Sequence, residues 1–148
     1  MDAAPNIEQP VVDFFLGLQR ALTAGDADGI IAAFAPEVLL GDPDGARAVR
    51  ADGELRLRID EWLALLRSAG AYDVKALQIE PLPLGPGYAL AAVRWSIWFT
   101  PEGRPDFVDE FLVDYVVRFQ GESIAIVAAF AHDTTAELRR RSGAAERA

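Results

Sequence analysis

Asp42, Tyr115 and His132 are the side chains of this sequence whose types and surroundings suit proton transfer. Asp42 ends the apolar run Val38-Leu39-Leu40-Gly41 and opens Asp-Pro-Asp-Gly. A carboxylate at the rim of an apolar cavity moves protons, because desolvation raises its pKa toward the working range. The same four residues also make an ordinary turn, in which Asp42 bonds only local backbone amides. Tyr115 shares strand parity with Phe111, Val113, Val117 and Phe119, whereas Glu110, Asp114 and Arg118 take the other face. A phenol on the apolar face can donate to a developing oxyanion, or it can be a core tyrosine satisfied by a neighbour. His132 follows the run Ser123–Ala131, and alternation sets it beside Ile124, Ile126, Ala128 and Phe130. There it is either an acid–base group titrating near neutrality or a histidine bonded across the strand end.

The elements that must position these groups are visible in the periodicity. Val11, Phe14, Phe15, Leu18 and Leu22 have helical spacing, closed by Gly25. Asp26 caps a second helix with Ile30, Ile31 and Phe34 on its apolar face, and Pro36 is expected to stop it. A third helix starts at Asp52 or Gly53, carries Leu55, Ile59, Trp62, Leu63 and Leu66, and ends at Gly70. The period then shortens: 72–84, 87–99, 109–119 and 123–131 are rich in β-branched and aromatic residues and are separated by turn sequences. Helices first and a strand meander afterwards predict an α+β domain, three helices packed on one face of a curved antiparallel sheet.

Composition bounds the function. With 148 residues, 51% of them hydrophobic, the chain is expected to form one domain with a core of its own. Cysteine is absent and His132 is the only histidine, which excludes disulfides, thiolate nucleophiles and Cys- or His-rich metal sites within one chain; no metal or cofactor is expected. A net charge of −9 argues against nucleic acid as a partner, and Arg139-Arg140-Arg141 reads as a helix C-terminus or a solvated tail. No run approaches the roughly 20 apolar residues of a membrane span, and the N-terminus lacks the order of a secretory signal, so a cytoplasmic protein without a membrane partner is expected. Phosphate loops, Gly-x-Ser-x-Gly elbows and dinucleotide fingerprints are not found.

The run from Ala24 to Gly45, with Ala-Gly-Asp-Ala-Asp-Gly before the second helix and Asp42-Pro43 after the first strand, resembles the nuclear-transport-factor-2-like (NTF2-like) superfamily, and within it the SnoaL-like and ketosteroid-isomerase-like proteins. The resemblance covers roughly residues 8–138, nearly the whole chain, as a single domain. It implies a cone of sheet and helices with a pocket inside, and Asp42 in the place of the isomerase base. The oxyanion-hole tyrosine of that family falls at Leu18, which cannot donate a hydrogen bond, and its second donor falls at Tyr115. Limonene epoxide hydrolase, a further relative by resemblance, would put its arginine at Arg94, but its neighbouring carboxylate is Ser96 here. Arg94 is expected outward or in an interface, with Val93, Trp95, Ile97 and Phe99 inside.

These readings converge on a protein with a pocket for a small hydrophobic molecule, lined by Phe14, Leu18, Phe34, Trp62, Trp95, Val113, Ala128 and Phe130. Cofactor-free acid–base isomerase, cyclase or dehydratase chemistry on a cyclic or polyketide-like carbonyl compound is one expectation, with Asp42, Tyr115 and His132 catalytic. A non-catalytic ligand-binding or dimerisation module is the other. The resemblance also implies a homodimer through the exposed sheet face.

Overall fold

The first helix forms where the sequence places its apolar stripe. Val11, Phe15 and Leu18 of α1 (Glu8–Ala24) are buried, and Gly25 ends the helix in the left-handed conformation, donating its N–H to the last carbonyls. The computed structural model describes residues 7–132 of the chain. Asp26 caps α2 (Ala27–Ala32) by accepting the Gly29 amide at 3.0 Å.

Pro36 does not end that helix. The chain has already turned at Ala33, and Phe34 begins β1 (Phe34–Asp42). Phe34 pairs with Ile126, whose amide donates to the Ala33 carbonyl at 2.9 Å, so strand pairing wins over continued helix. Pro36 lies in the stretch where the β1 register is interrupted, between Phe34 and Leu39, where a missing N–H breaks no regular ladder.

A hairpin joins β1 to β2 (Gly45–Arg50), a strand the periodicity did not announce, and a π-helical turn at Ala51–Leu55 leads into α3 (Arg56–Ser68). Leu55, Ile59, Leu63 and Leu66 are buried as their spacing predicts, and Trp62 lies half-buried beside them. The long strands β3 (Ala71–Pro83), β4 (Tyr88–Phe99), β5 (Phe107–Gln120) and β6 (Ser123–Ala131) complete one sheet in the order β2-β1-β6-β5-β4-β3. Every neighbouring pair is antiparallel except β1 with β6, which run parallel. The fold is α+β, with three helices and a six-stranded mixed sheet.

The core lies between the helices and the inner face of the sheet. Ala89, Ala91, Val93, Trp95, Ile97 and Phe99 bury one face of β4, and Arg94 points outward, 3.8 Å from Glu110. Among the described residues no helix is long and apolar enough to cross a membrane. The basic run Arg139-Arg140-Arg141 and the last part of the expected core, to residue 138, lie outside the described residues.

Candidate functional site

The tight β1–β2 connection presents Asp42 at the rim of the inner face. Asp42 Oδ1 accepts from the amides of Asp44 at 2.8 Å and Gly45 at 3.2 Å, a local turn that fixes the carboxylate and leaves Oδ2 free of these two bonds. Two residues earlier on the strand, Leu40 lies opposite Ala129 and packs against the core, so Asp42 continues that side. Beside it opens a depression of about 310 Å³, lined by Leu40, Asp42, Asp44, Arg47 and Arg58 among others.

The two arginines are held in place by one acid. Glu54 Oε2, shielded from solvent, meets Arg47 Nη2 at 2.5 Å and Arg58 Nε at 3.4 Å. The π-helical turn carries Glu54, β2 carries Arg47 and α3 carries Arg58, so three consecutive elements converge at this mouth. A ligand there would meet a carboxylate oxygen and guanidinium N–H groups together, an arrangement for a molecule with both a proton to give and a carbonyl oxygen to accept.

Tyr115 occupies the interior instead. The Trp95 indole N–H donates to its hydroxyl oxygen at 3.0 Å, and the Phe15 ring lies 4.8 Å away, centroid to centroid. Burial raises the phenol pKa well above its ordinary value, with the Trp95 bond acting in the opposite direction. The phenol therefore stays protonated and remains a donor.

His132 faces the other side of the sheet from Tyr115. Val117 pairs with Ile126 but Val116 pairs with Ala128, so Val127 is an extra residue, a β-bulge. Beyond it the parity of β6 inverts: Ala129 and Ala131 join the core, and Ala128, Phe130 and His132 turn to the outer face. The alternation expected for His132, Ala128 and Phe130 is thus corrected by one inserted residue. His132 Nε2 lies 3.1 Å from Asp114 Oδ2 and is exposed. The Phe130 ring covers Gly41, where a Cβ would come within 2.5 Å of it.

Of the residues expected to line a pocket, Leu18, Trp95 and Val113 are buried in the core, while Phe14, Phe34 and Trp62 are half-buried against it. Asp42 alone among the expected site residues borders the mouth depression. Sequence reasoning passed over Arg47, Arg58 and Asp109. Asp109 is 3% exposed on the inner face of β5, opposite Ile97. Its odd number, in parity with Tyr115, was the available signal. No such signal marks Arg58, which lies off the apolar stripe of its helix.

No family model and no curated protein matches the chain. Solved structures do. Aln2 from a Streptomyces species superposes with a TM-score of 0.72 at 12% identity, covering 95% of this chain and 99% of that one. The chain has the NTF2-like fold. A ketosteroid isomerase-like protein from Erwinia carotovora atroseptica aligns with TM-score 0.65 at 14% identity over 87% of this chain and 97% of its own. An NTF-2 like protein from Shewanella oneidensis aligns with TM-score 0.66 at 17% identity over 85% and 98%. The NTF2-like fold accounts for the order of helices and strands, and identities this low carry the fold alone.

Proposed function

We propose that this protein binds a small, largely hydrophobic carbonyl compound at the mouth between the β1–β2 turn and α3, and catalyses cofactor-free proton transfer on it. The observation that carries the reading is that Asp42 and Arg58 border one depression. Asp42 Oδ2 takes a proton from the carbon beside the carbonyl, and the C–H electron pair becomes the enolate. Arg58 stabilises the oxygen that gains charge. Return of the proton to another carbon completes an isomerisation; its transfer to a β-hydroxyl, whose C–O bond breaks as the enolate electrons form the C=C bond, releases water and completes a dehydration. Tyr115, protonated and buried, serves as donor only to a ligand that reaches past Phe15; His132 has no part in this mouth. A cyclic or polyketide-like compound and a cytoplasmic location belong to the same reading.

A specific observation favours a second reading, a binding module without turnover. The interior beside Tyr115 is occupied by the Trp95 and Phe15 side chains. One experiment separates the two: incubation of the protein with a panel of cyclic ketones in D₂O, followed by proton NMR. Exchange of the α-protons by the wild type, reduced at least about 100-fold in Asp42→Asn, is the expected result. An equal exchange rate in the variant overturns Asp42 as base. Saturable binding by wild type and variant alike, without exchange, leaves the binding module.

A further inference from the structure

The mouth beside the β1–β2 turn brings together charges that do not pair with one another. Asp42 and Asp44 line one depression with Arg47 and Arg58. Cross-strand pairing sets Leu40 opposite Arg47 and Asp42 opposite Gly45, so Asp42 and Arg47 share a face as diagonal neighbours. Both arginines meet Glu54 instead, and Asp42 Oδ1 takes the amides of its own turn. The carboxylate of Asp44 makes no hydrogen bond or ion pair among the described residues. Three carboxylates therefore stand against two guanidiniums, which leaves one negative charge unbalanced. The neighbouring Arg50 does not balance it, being held by Asp52 at 3.1 Å, and the whole chain carries −9.

We propose that the carbonyl compound taken at this mouth carries one positive charge: it is a small amino ketone, protonated at neutral pH, with its ammonium group against Asp44 and its carbonyl oxygen against Arg58. The ligand's charge is thereby added to the proton transfer proposed above, on which this reading rests. A monocation brings the occupied mouth to neutrality, whereas a neutral ketone leaves the excess in place and a carboxylate doubles it. An ammonium group donates hydrogen bonds and accepts none, the complement of an unpaired carboxylate. The field of an acidic chain draws such a ligand toward the protein. Size sets a second limit. At about 310 Å³ the depression lies at the small end of the roughly 300–1,000 Å³ usual for ligand sites, and its apolar contacts come from Leu40 and Ala46. A compound of one or two rings fits it, and one of four rings does not.

Calorimetric titration of the full chain at neutral pH compares two probes of one shape: tropinone, a bicyclic amino ketone protonated there, and the bicyclic ketone of the same skeleton with carbon in place of nitrogen. Tropinone is expected to bind about fivefold more tightly, the size of one exposed ion pair. The difference should vanish at about 1 M salt, where screening acts within about 3 Å. Asp44→Asn is expected to bring tropinone down to the affinity of the carbon compound and to leave the carbon compound unchanged; the variant keeps the backbone amide that bonds Asp42. Equal affinities in the wild type, or a preference that survives in Asp44→Asn, overturns the charged ligand. Proton transfer is measured separately, by α-proton exchange in D₂O. A preference for tropinone without exchange keeps the charged ligand and removes Asp42 as base. Exchange of both ketones at equal affinity keeps the base and removes the charge preference, and binding of neither removes both.

Discussion

The indole N–H of Trp95 points at the hydroxyl oxygen of Tyr115 from 3.0 Å, and both side chains are buried. The pair links β4 to β5 across the inner face and sets the protonation state of the phenol. Because burial raises the folded-state pKa above the unfolded value of about 10, the linkage has a definite sign. The contribution of Tyr115 to stability is fully present below pH about 10 and is lost as pH rises from there through the folded value, since over that interval the unfolded chain ionises while the folded one holds its proton.

Tyr115→Phe is accordingly expected to change two things. At neutral pH it leaves the Trp95 N–H without its partner and costs about 1–3 kcal/mol. Above pH 10 its stability falls less steeply than that of the wild type. Urea unfolding followed by tryptophan fluorescence at pH 7 and at pH 10.5 checks both, and parallel pH dependences in the two proteins would contradict the assignment.

The helices and the four long strands were legible because their periodicity is strong and unbroken: Val11, Phe15 and Leu18 on one helix, the odd residues from Ala89 to Phe99 on one strand. The parity of β6 was not. Ile124-Ala-Ile-Val-Ala-Ala-Phe130 is apolar at every position, so an inserted residue leaves no trace in the alternation, and the bulge at Val127 turned His132 to the far face. β2 was missed because Ala46, Arg47 and Ala48 have little strand character; pairing with β1 creates the strand. The mouth depends on Glu54 gathering Arg47 and Arg58 from different elements, a relation that no local pattern encodes.

Gly70 connects α3 to β3 at a φ of 85°, and a Cβ there would approach the Thr100 carbonyl oxygen to 2.7 Å and Pro101 Cα to 3.0 Å. Both obstacles are backbone, and Thr100 is tied in place by donating its amide to the Gly70 carbonyl at 2.8 Å. Gly70→Ala is expected to cost about 2–4 kcal/mol, the sum of left-handed backbone strain and overpacking. Gly103→Ala serves as control. Its φ is 72° with nothing within 4 Å of the added carbon, so only the backbone part, about 1–2 kcal/mol, should be lost. Equal urea midpoints for the two variants would show that the Thr100 contact relaxes freely.

The outer edge of β3 is closed by side chains of α1 instead of by another strand. Thr23 Oγ1 accepts the Val74 amide at 3.1 Å and donates to the Val74 carbonyl at 2.9 Å, and Gln19 Oε1 accepts the Ala76 amide at 2.8 Å. An uncovered edge of this length invites pairing with another chain. Thr23→Val keeps the shape but strands two partly buried backbone groups, at a cost of about 1–3 kcal/mol. Hydrogen exchange should accelerate at the Val74 amide before it does so in β4 or β5, and unchanged protection at Val74 would show that the hydroxyl is dispensable.

Asp42 has a structural task that must be separated from the proton transfer proposed for it. Its Oδ1 closes the β1–β2 turn through two backbone amides, and an asparagine retains a carbonyl oxygen at that position. Asp42→Asn is therefore expected to change stability by less than about 0.5 kcal/mol, whereas Asp42→Ala, which leaves both amides to solvent, costs about 1 kcal/mol. Thermal unfolding of the two variants checks the difference. If Asn destabilises as much as Ala, the turn needs the negative charge itself, and loss of α-proton exchange in Asp42→Asn must then be read from protein whose fold at the mouth has been verified by the chemical shifts of Asp44 and Gly45.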